Sequence, residues 1–136
     1  MRLEFSRHLR YLDDAAGITL PITSRSGVET IALFAAIDTG AAHCLFERTH
    51  GDLLGLEIES GEPKSFATAT GRVETFGHVV SMDSLGIQFE STVYFFANPG
   101  IRKNLLGRVG WLDRIRLGLV DYDQMLYLAQ YEIQSK

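Results

Sequence analysis

The residues best suited to chemistry are Asp38, Thr39 and Gly40, which directly follow the apolar segment from Phe34 to Ile37. An ionised carboxylate at the end of a buried strand is costly unless it is paired or hydrogen-bonded, so its presence requires a reason. Gly40 lets the backbone approach a neighbour closely, and the Thr39 hydroxyl can bond an adjacent backbone group. Asp38 is therefore a candidate for acid–base chemistry, although an Asp after a strand can also simply cap a turn.

A second segment later in the chain consists of two leucines at 105 and 106, followed by Gly107 and Arg108. An apolar strand that ends in Asp-Thr-Gly-Ala, with a later apolar-apolar-Gly-Arg, resembles the retroviral-type aspartic proteases, the retropepsin-like family. The resemblance covers roughly residues 17–130. It implies an all-β, acid-protease-like closed barrel with a flap hairpin and one or two short helices.

The functional residues of that family can be carried over onto this chain one by one. The first segment carries the catalytic aspartate, and the second crosses behind it and supports it from below. A hairpin forms a flap that closes over an extended peptide. The resemblance implies catalytic residues Asp38, Thr39 and Gly40, substrate-binding residues Ala41, Ala42, Thr70, Gly71, Arg72 and Val73, and structural support from Leu105, Leu106, Gly107 and Arg108.

Aspartic protease chemistry needs two carboxylates that share a proton, one as base toward the attacking water and the other as acid toward the carbonyl oxygen. The chain has a single Asp-Thr-Gly, and the nearest imitation, residues 83–86, lacks the adjacent glycine. We therefore expect a two-fold homodimer that brings Asp38 against Asp38 of a second chain. The predicted activity is that of an aspartic endopeptidase, which uses this dyad and a bound water without a metal or another cofactor.

Two features depart from the family pattern. Ala42 occupies the position at which the retroviral enzymes place an Asp that pairs with the arginine of the second segment. Arg108 therefore lacks its expected partner, and Asp113 and Glu47 are the candidates to replace it. The predicted flap contains one glycine, Gly71, where retroviral flaps are rich in glycine.

Two other functions remain open. A retropepsin-like domain could keep its fold and dimer and serve as a peptide-binding or dimerisation module with little turnover, or it could process only itself. His43 and Cys44 are not a nucleophilic pair, because adjacent side chains on a strand point to opposite faces, and Cys44 is expected in the core. The four histidines lack metal-ligand spacing and are expected in turns or on the surface.

The elements that position these residues are predicted to be mostly short strands, because the 13 glycines are spread along the chain and punctuate it. Short helices are expected at residues 47–54 and 109–115. A hairpin is predicted from residues 65–70 and 72–80, with its turn at residues 70–72. The other predicted strands cover residues 3–5, 18–23 (before a turn at 24–27), 28–37 (buried on both faces), 41–46, 87–96, 116–120 and 125–133.

The chain has 136 residues, the size of one domain, in which residues 1–16 form an N-terminal segment and residues 17–136 the retropepsin-like part. The net charge of -4 and the lack of a long basic cluster argue against nucleic acid as a partner. The longest apolar run, residues 31–37, is too short to cross a bilayer, and the N-terminus lacks the apolar core of a signal peptide. With a single cysteine, these features predict a soluble cytoplasmic protein that binds no membrane.

Overall fold

The computed structural model describes residues 1–12 and 17–131. Strands dominate this part of the chain, and its helical elements are one short α-helix and three single 3₁₀ turns. The helix α1 spans Arg48–Leu53, and the 3₁₀ turns span Ile58–Ser60, Leu112–Arg114 and Asp121–Asp123. The strands are β1 (Arg7–Arg10), β2 (Thr19–Ser26), β3 (Glu29–Ile37), β4 (Cys44–Phe46), β5 (Glu62–Thr68), β6 (Gly71–Ser84), β7 (Ile87–Phe96), β8 (Leu105–Leu106), β9 (Ile115–Val120) and β10 (Met125–Gln130).

Six of these strands form a closed barrel. The larger sheet has the order β2-β3-β8-β4-β7-β6-β5, and β2 also pairs with β6 from Ile22↔Ser84 to Arg25↔Ser81. This second pairing closes the ring β2-β3-β8-β4-β7-β6 and leaves β5 attached to β6 outside it. Closure of the ring satisfies the backbone groups that an open sheet would leave at its edges. The predicted all-β closed barrel is confirmed.

Alternate residues of the barrel strands fill its interior with apolar side chains. Cys44, Phe46 and Phe95 are fully buried there, which confirms the prediction that Cys44 belongs to the core. Trp111 is also fully buried, and its Nε1 donates a hydrogen bond to Ser84 Oγ at 2.9 Å. Because this bond satisfies the indole N–H, the largest side chain of the chain can be buried without an unpaired donor.

A separate three-stranded sheet joins the two ends of the described chain. β1 pairs antiparallel with β10 from Arg7↔Leu128 to Arg10↔Met125, and β10 pairs antiparallel with β9 along its whole length. β10 is therefore the central strand, with β1 and β9 outside it. The N-terminal segment, for which the sequence predicts a strand at residues 3–5, instead forms its strand at Arg7–Arg10 and adds it to this sheet.

The strand β3 alternates between buried and exposed positions, so the prediction of a strand buried on both faces is wrong. Leu33 and Ala35 face the core, whereas Phe34 between them is 62% exposed. The apolar run is misleading because only one face of a barrel strand points to the interior. β2 continues to Ser26, into the turn predicted at residues 24–27, because each of its last residues pairs with β3.

The structure corrects three further boundaries. The predicted helix at residues 109–115 is only the 3₁₀ turn at Leu112–Arg114, because Ile115 already enters β9. The predicted strand at 41–46 is regular only over Cys44–Phe46. The two hairpin strands pair from Glu62↔Gly77 to Thr68↔Gly71, so the turn residues are Ala69 and Thr70. Residues 132 and 133 of the predicted last strand lie outside the described residues.

The helix predicted at residues 47–54 is present as α1, and Glu47 directly precedes it. Within the described ranges, none of the helical elements has the length and apolar character that crossing a membrane requires.

Candidate active site

Asp38 follows the last residue of β3 and is held there by backbone hydrogen bonds. Its N–H donates to Leu106 O at 3.0 Å, and its own carbonyl accepts from the N–H of Ala41 at 3.1 Å. The carboxylate Oδ1 accepts the N–H of Gly40 at 3.0 Å. The side chain is half-buried, whereas Thr39 and Gly40 are exposed. This tight loop therefore fixes the direction of the carboxylate at the end of the strand.

The second segment of the sequence motif lies directly against this loop. β8 runs parallel to the end of β3, with Ala36 opposite Leu105 and Ile37 opposite Leu106. Beyond β8, the N–H of Arg108 donates to Ala41 O at 2.9 Å, and the N–H of Val109 donates to Ala42 O at 2.8 Å. The structure thus brings residues 105–109 and residues 36–42 into direct backbone contact.

Gly107 is the point of closest contact between the two segments. A methyl group at this position would lie 2.6 Å from the carbonyl carbon of His43 and 2.8 Å from the carbonyl oxygen of Ala41. Both are main-chain atoms, which cannot turn aside as a flexible side chain would. Gly107 is therefore required by the space between the backbones.

The β5–β6 hairpin and the Asp38 loop enclose a cleft of about 700 Å³. Asp38, Gly40, Ala41 and Ala42 line the cleft on the loop side. Of the predicted substrate-binding residues in the hairpin, Thr70 and Val73 line it, whereas Gly71 and Arg72 do not. The lining residues that the sequence analysis did not assign to the site are His43, Leu45, Phe66, Ala67, Thr68, Phe96, Gly100, Ile101, Arg102 and Lys103.

His43 is the most informative of the missed residues, because it lies half-buried in the cleft and not in a solvated turn. Its ring packs edge-on against Tyr94 and Phe66, with ring centroids 5.1 and 5.9 Å away. Burial lowers the pKa of His43 below 6.5, and the charge of Lys64 lowers it further, while Glu62 opposes this effect. The only available sequence signal was the short spacing from Asp38, which says nothing about aromatic partners from the hairpin and β7.

Tyr94 joins this aromatic group to the charged start of the hairpin. Its hydroxyl donates to Glu62 Oε2 at 3.4 Å, and Lys64 Nζ lies 5.4 Å from its ring centre. Burial raises the pKa of the Tyr94 hydroxyl, and Glu62 raises it further. Tyr94 therefore remains a neutral hydrogen-bonding group at neutral pH.

The solved structures that are similar to this chain include two proteases. A retropepsin-like aspartic protease from Rickettsia conorii matches with a TM-score of 0.64, covering 90% of this chain and 97% of that protein at 19% identity. The EIAV protease, complexed with the inhibitor HBY-793, matches with a TM-score of 0.55, covering 71% of this chain and 86% of that protein at 20% identity. This chain has a retropepsin-like fold. No family model and no curated protein matches the sequence.

Arg108 differs in its surroundings from what the resemblance to retroviral enzymes implies. Neither candidate partner is paired with it: Asp113 accepts the N–H of Gly110 at 2.9 Å, and Glu47 is bonded to Asn104. Within the described chain no carboxylate forms an ion pair with Arg108, which is exposed. The guanidinium is therefore free on the outer side of the Asp38 loop in this retropepsin-like fold.

Asn104, which the sequence analysis did not consider, forms hydrogen bonds that connect the segments next to the Asp38 loop. Its Nδ2 donates to Glu47 Oε2 at 2.7 Å, while its Oδ1 accepts the N–H of Glu47 at 3.0 Å and lies 3.1 Å from His50 Nδ1. Its main-chain carbonyl also accepts the N–H of Ala36 at 2.8 Å. Asn104 thus ties the start of α1, through its side chain, to β3, through its main chain, just before the Asp38 loop of the retropepsin-like fold.

Proposed function

We propose that the chain is an aspartic endopeptidase that hydrolyses peptide bonds as a homodimer. The observation that carries this proposal is the position of Asp38, whose carboxylate is fixed by the loop backbone at the wall of a cleft of about 700 Å³. The similarity in fold to proteins described as aspartic proteases supports it. In this function Asp38 supplies half of a dyad, and the second half comes from Asp38 of an identical chain.

The chemistry follows from the pairing of two like carboxylates. Close together they cannot both be ionised at low cost, so the pair keeps one proton over a range of pH. The ionised member removes a proton from a water held between them, and the resulting nucleophile attacks the peptide carbonyl. The protonated member donates its proton to the carbonyl oxygen, and the tetrahedral intermediate then collapses with transfer of a proton to the leaving amine. The titration belongs to the pair and not to either residue.

Thr39 and Gly40 have supporting roles in this proposal. The Thr39 side chain is exposed, and no hydrogen bond of its hydroxyl is formed within the described residues, so it is available to bond the equivalent loop of the second chain. The N–H of Gly40 holds Oδ1 of Asp38 in place. A side chain on Gly40 would begin 3.3 Å from this oxygen, so glycine keeps the space beside the carboxylate open. Leu105, Leu106 and Gly107 hold the loop from behind.

Substrate is proposed to bind as an extended strand between the Asp38 loop and the β5–β6 hairpin. Main-chain groups of Ala41 and Ala42 on one side, and of the hairpin on the other, would bond the peptide backbone. Alternate side chains of the peptide would then enter apolar parts of the cleft, such as those next to Leu45, Phe66 and Ile101. The hairpin acts as a flap that excludes bulk water from the dyad.

The test is cleavage of a mixture of peptides, read by mass spectrometry, for the wild type and for Asp38→Asn. The substitution keeps the shape of the side chain and removes the carboxylate, so we expect cleavage to fall at least a thousandfold, in line with the loss of a group on which the chemistry depends. Asp83→Asn is the matched control, because Asp83 belongs to the imitation motif and does not line the cleft. Its carboxylate accepts the N–H of Gly86 at 2.8 Å and Gln88 Nε2 at 2.9 Å.

Retained cleavage by Asp38→Asn would show that the dyad is not the catalytic group. If the wild type cleaves no peptide but binds peptides as tightly as Asp38→Asn does, the chain is a peptide-binding module. Intact mass measurement of the purified chain over time separates cleavage in trans from processing of the chain itself.

A further inference from the structure

We infer that the cleft selects peptides that carry a glutamate or aspartate close to the cleaved bond, and that Lys103 is the residue that selects them. The inference rests on the proposed function, since it names the class of substrate for the same site. Lys103 takes no part in the chemistry of the dyad, so its role is to recognise the peptide.

The charged side chains that line the cleft are two cations, Arg102 and Lys103, and one anion, Asp38. In the proposed dyad two copies of Asp38 share a proton and together carry one negative charge. Two-fold symmetry doubles the cations as well. The assembled cleft therefore has more positive than negative charge among its lining residues, which favours an anionic peptide.

The two cations differ in whether a carboxylate of the chain is already paired with them. Arg102 Nε lies 3.8 Å from Glu47 Oε1, so part of the charge of Arg102 is balanced. Lys103 is exposed, and among the residues that the structure describes no carboxylate forms an ion pair with it. The charge of Lys103 is therefore available to a ligand.

The segment that leads into β8 places Lys103 on the side of the cleft. Asn104 directs its side chain to Glu47, where its Nδ2 donates to Oε2 at 2.7 Å. Adjacent side chains point to opposite sides where the chain enters a strand. The neighbours of Asn104, Lys103 and Leu105, accordingly both line the cleft, and so does Ile101. Anchoring of Asn104 thus holds Lys103 toward the bound peptide.

The surroundings of Lys103 make a neutral peptide side chain unfavourable. Ile101 and Leu105, two residues before and after it, are half-buried apolar residues of the same cleft. The ammonium group is solvated in the free chain, but a peptide covered by the hairpin displaces water from it. A charge that loses water without gaining a partner is costly. A carboxylate on the peptide avoids this cost, so acidic residues are selected over neutral ones of the same shape.

Two-fold symmetry predicts where the acidic residues occur along the peptide. The axis passes between the two Asp38 carboxylates and therefore through the bond that is cleaved. Each half of the peptide then meets one copy of Lys103. We expect the acidic residue near the cleaved bond, on one side of it or on both.

Positional scanning of peptides tests the substrate class. Each position near the bond of a cleaved peptide is filled in turn with glutamate or with glutamine, which has the same shape without the charge. At pH 7 glutamate is ionised. We expect at least one position at which glutamate raises kcat/KM about tenfold or more over glutamine. Equal rates for the two residues at every position would overturn the inference.

Substitutions in the cleft assign the preference to one residue. Lys103→Met keeps the apolar stem and removes the charge, so glutamate and glutamine peptides should be cleaved at nearly equal rates. Lys103→Glu should reverse the preference toward peptides that carry lysine at the same position. Arg102→Met should keep most of the preference for glutamate, because Glu47 already balances part of the charge of Arg102. A preference lost in Arg102→Met but kept in Lys103→Met would overturn the assignment.

Arg25→Met is the matched control for the change in net charge. Arg25 is exposed, does not line the cleft, and pairs with Thr30 near the start of β3, whereas Asp38 follows the end of that strand. Its preference for glutamate should equal that of the wild type. An equal loss in Arg25→Met and Lys103→Met would mean that the net charge of the chain selects the peptide. Near-UV circular dichroism ensures that each variant is folded.

The proposed function and this inference can fail separately. Fluorescence anisotropy measures the binding of labelled peptides of mixed sequence, with one fixed glutamate or glutamine, whether or not they are cleaved. Cleavage without a preference for glutamate would keep the proposed function and reject the inference. Tighter binding of glutamate peptides by a chain that cleaves nothing, lost in Lys103→Met, would reject the proposed function and keep the role of Lys103. A folded chain that neither cleaves nor binds peptides would reject both.

Discussion

Asp38 has its geometry fixed by backbone groups of its own loop and of β8. The N–H of Gly40 binds one carboxylate oxygen, and Leu106 O holds the N–H of Asp38 itself. No cation forms an ion pair with Asp38 in the described part of the chain. The carboxylate is thus positioned without an ion-paired cation, as the proposed sharing of a proton with a second carboxylate requires.

His43 gives a prediction for the pH dependence of stability. Its pKa in the folded chain is lowered below 6.5, so the unfolded chain binds more protons in the window between the two values. Stability therefore falls as pH decreases from 6.5 through the folded pKa. His43→Phe keeps the aromatic contacts and removes the titration, so the free energy of unfolding should depend less on pH between about pH 5 and pH 7.5. Urea unfolding at several pH values measures this.

The charges of Lys64 and Glu62 next to His43 allow a check on the direction of its pKa shift. Lys64→Met removes a cation that lowers the pKa, so the imidazole should titrate at higher pH, as followed by NMR. Glu62→Gln removes the opposing anion and should move the titration to lower pH. Shifts in the reversed directions would mean that other groups control His43.

At the scale of elements, Gly107 gives a prediction about the contact between β8 and the Asp38 loop. Gly107→Ala puts a methyl group against main-chain atoms of Ala41 and His43, so one backbone must move. We expect a loss of about 1–3 kcal/mol in the free energy of unfolding and a loss of peptide cleavage in the folded fraction. Chemical denaturation and a cleavage assay measure the two effects.

Val109→Ala is the control for this prediction, because Val109 lies in the same segment but is 53% exposed. Its stability should stay within about 0.5 kcal/mol of the wild type. A Gly107→Ala chain as stable as this control would mean that the two segments can separate without cost.

The hairpin tip gives a second prediction at this scale. Gly71 has φ of +129°, a conformation that other residues rarely adopt, and a methyl group there would touch nothing. Gly71→Ala should therefore strain the tip by about 1–3 kcal/mol. We expect it to lower kcat/KM for peptides. Gly27→Ala is the matched control, since Gly27 also has positive φ and open space but lies in the turn between β2 and β3. Equal effects of both substitutions on cleavage would deny the hairpin a role over the cleft.

Sequence reasoning succeeded where a local pattern has a single structural solution. The apolar strand before Asp38 and the Leu-Leu-Gly-Arg segment predicted the fold, because both patterns are short and ordered along the chain. It failed at β3, where seven apolar residues in a row say nothing about which face meets the core; Phe34 is exposed. It also missed His43 and Asn104, since their partners come from strands and helices that only the folded chain brings together.

At the scale of the whole molecule, the proposed dyad makes activity depend on association. A ninefold excess of Asp38→Asn chains should leave about a tenth of the wild-type chains paired with each other, so cleavage should fall about tenfold when subunits exchange freely. An equal excess of Asp83→Asn, which keeps the dyad, should not reduce cleavage per wild-type chain. Activity that does not respond to added Asp38→Asn would point to a site complete within one chain.

The capture of β1 by its own chain has a consequence for anything joined upstream of Arg7. Because β1 belongs to a sheet that supplies none of the described residues lining the cleft, a fluorescent protein or a natural precursor attached there would leave the cleft open. Such a fusion should assemble and cut peptides while still intact. Maturation by removal of an upstream segment would then be unnecessary for the proposed peptide cleavage.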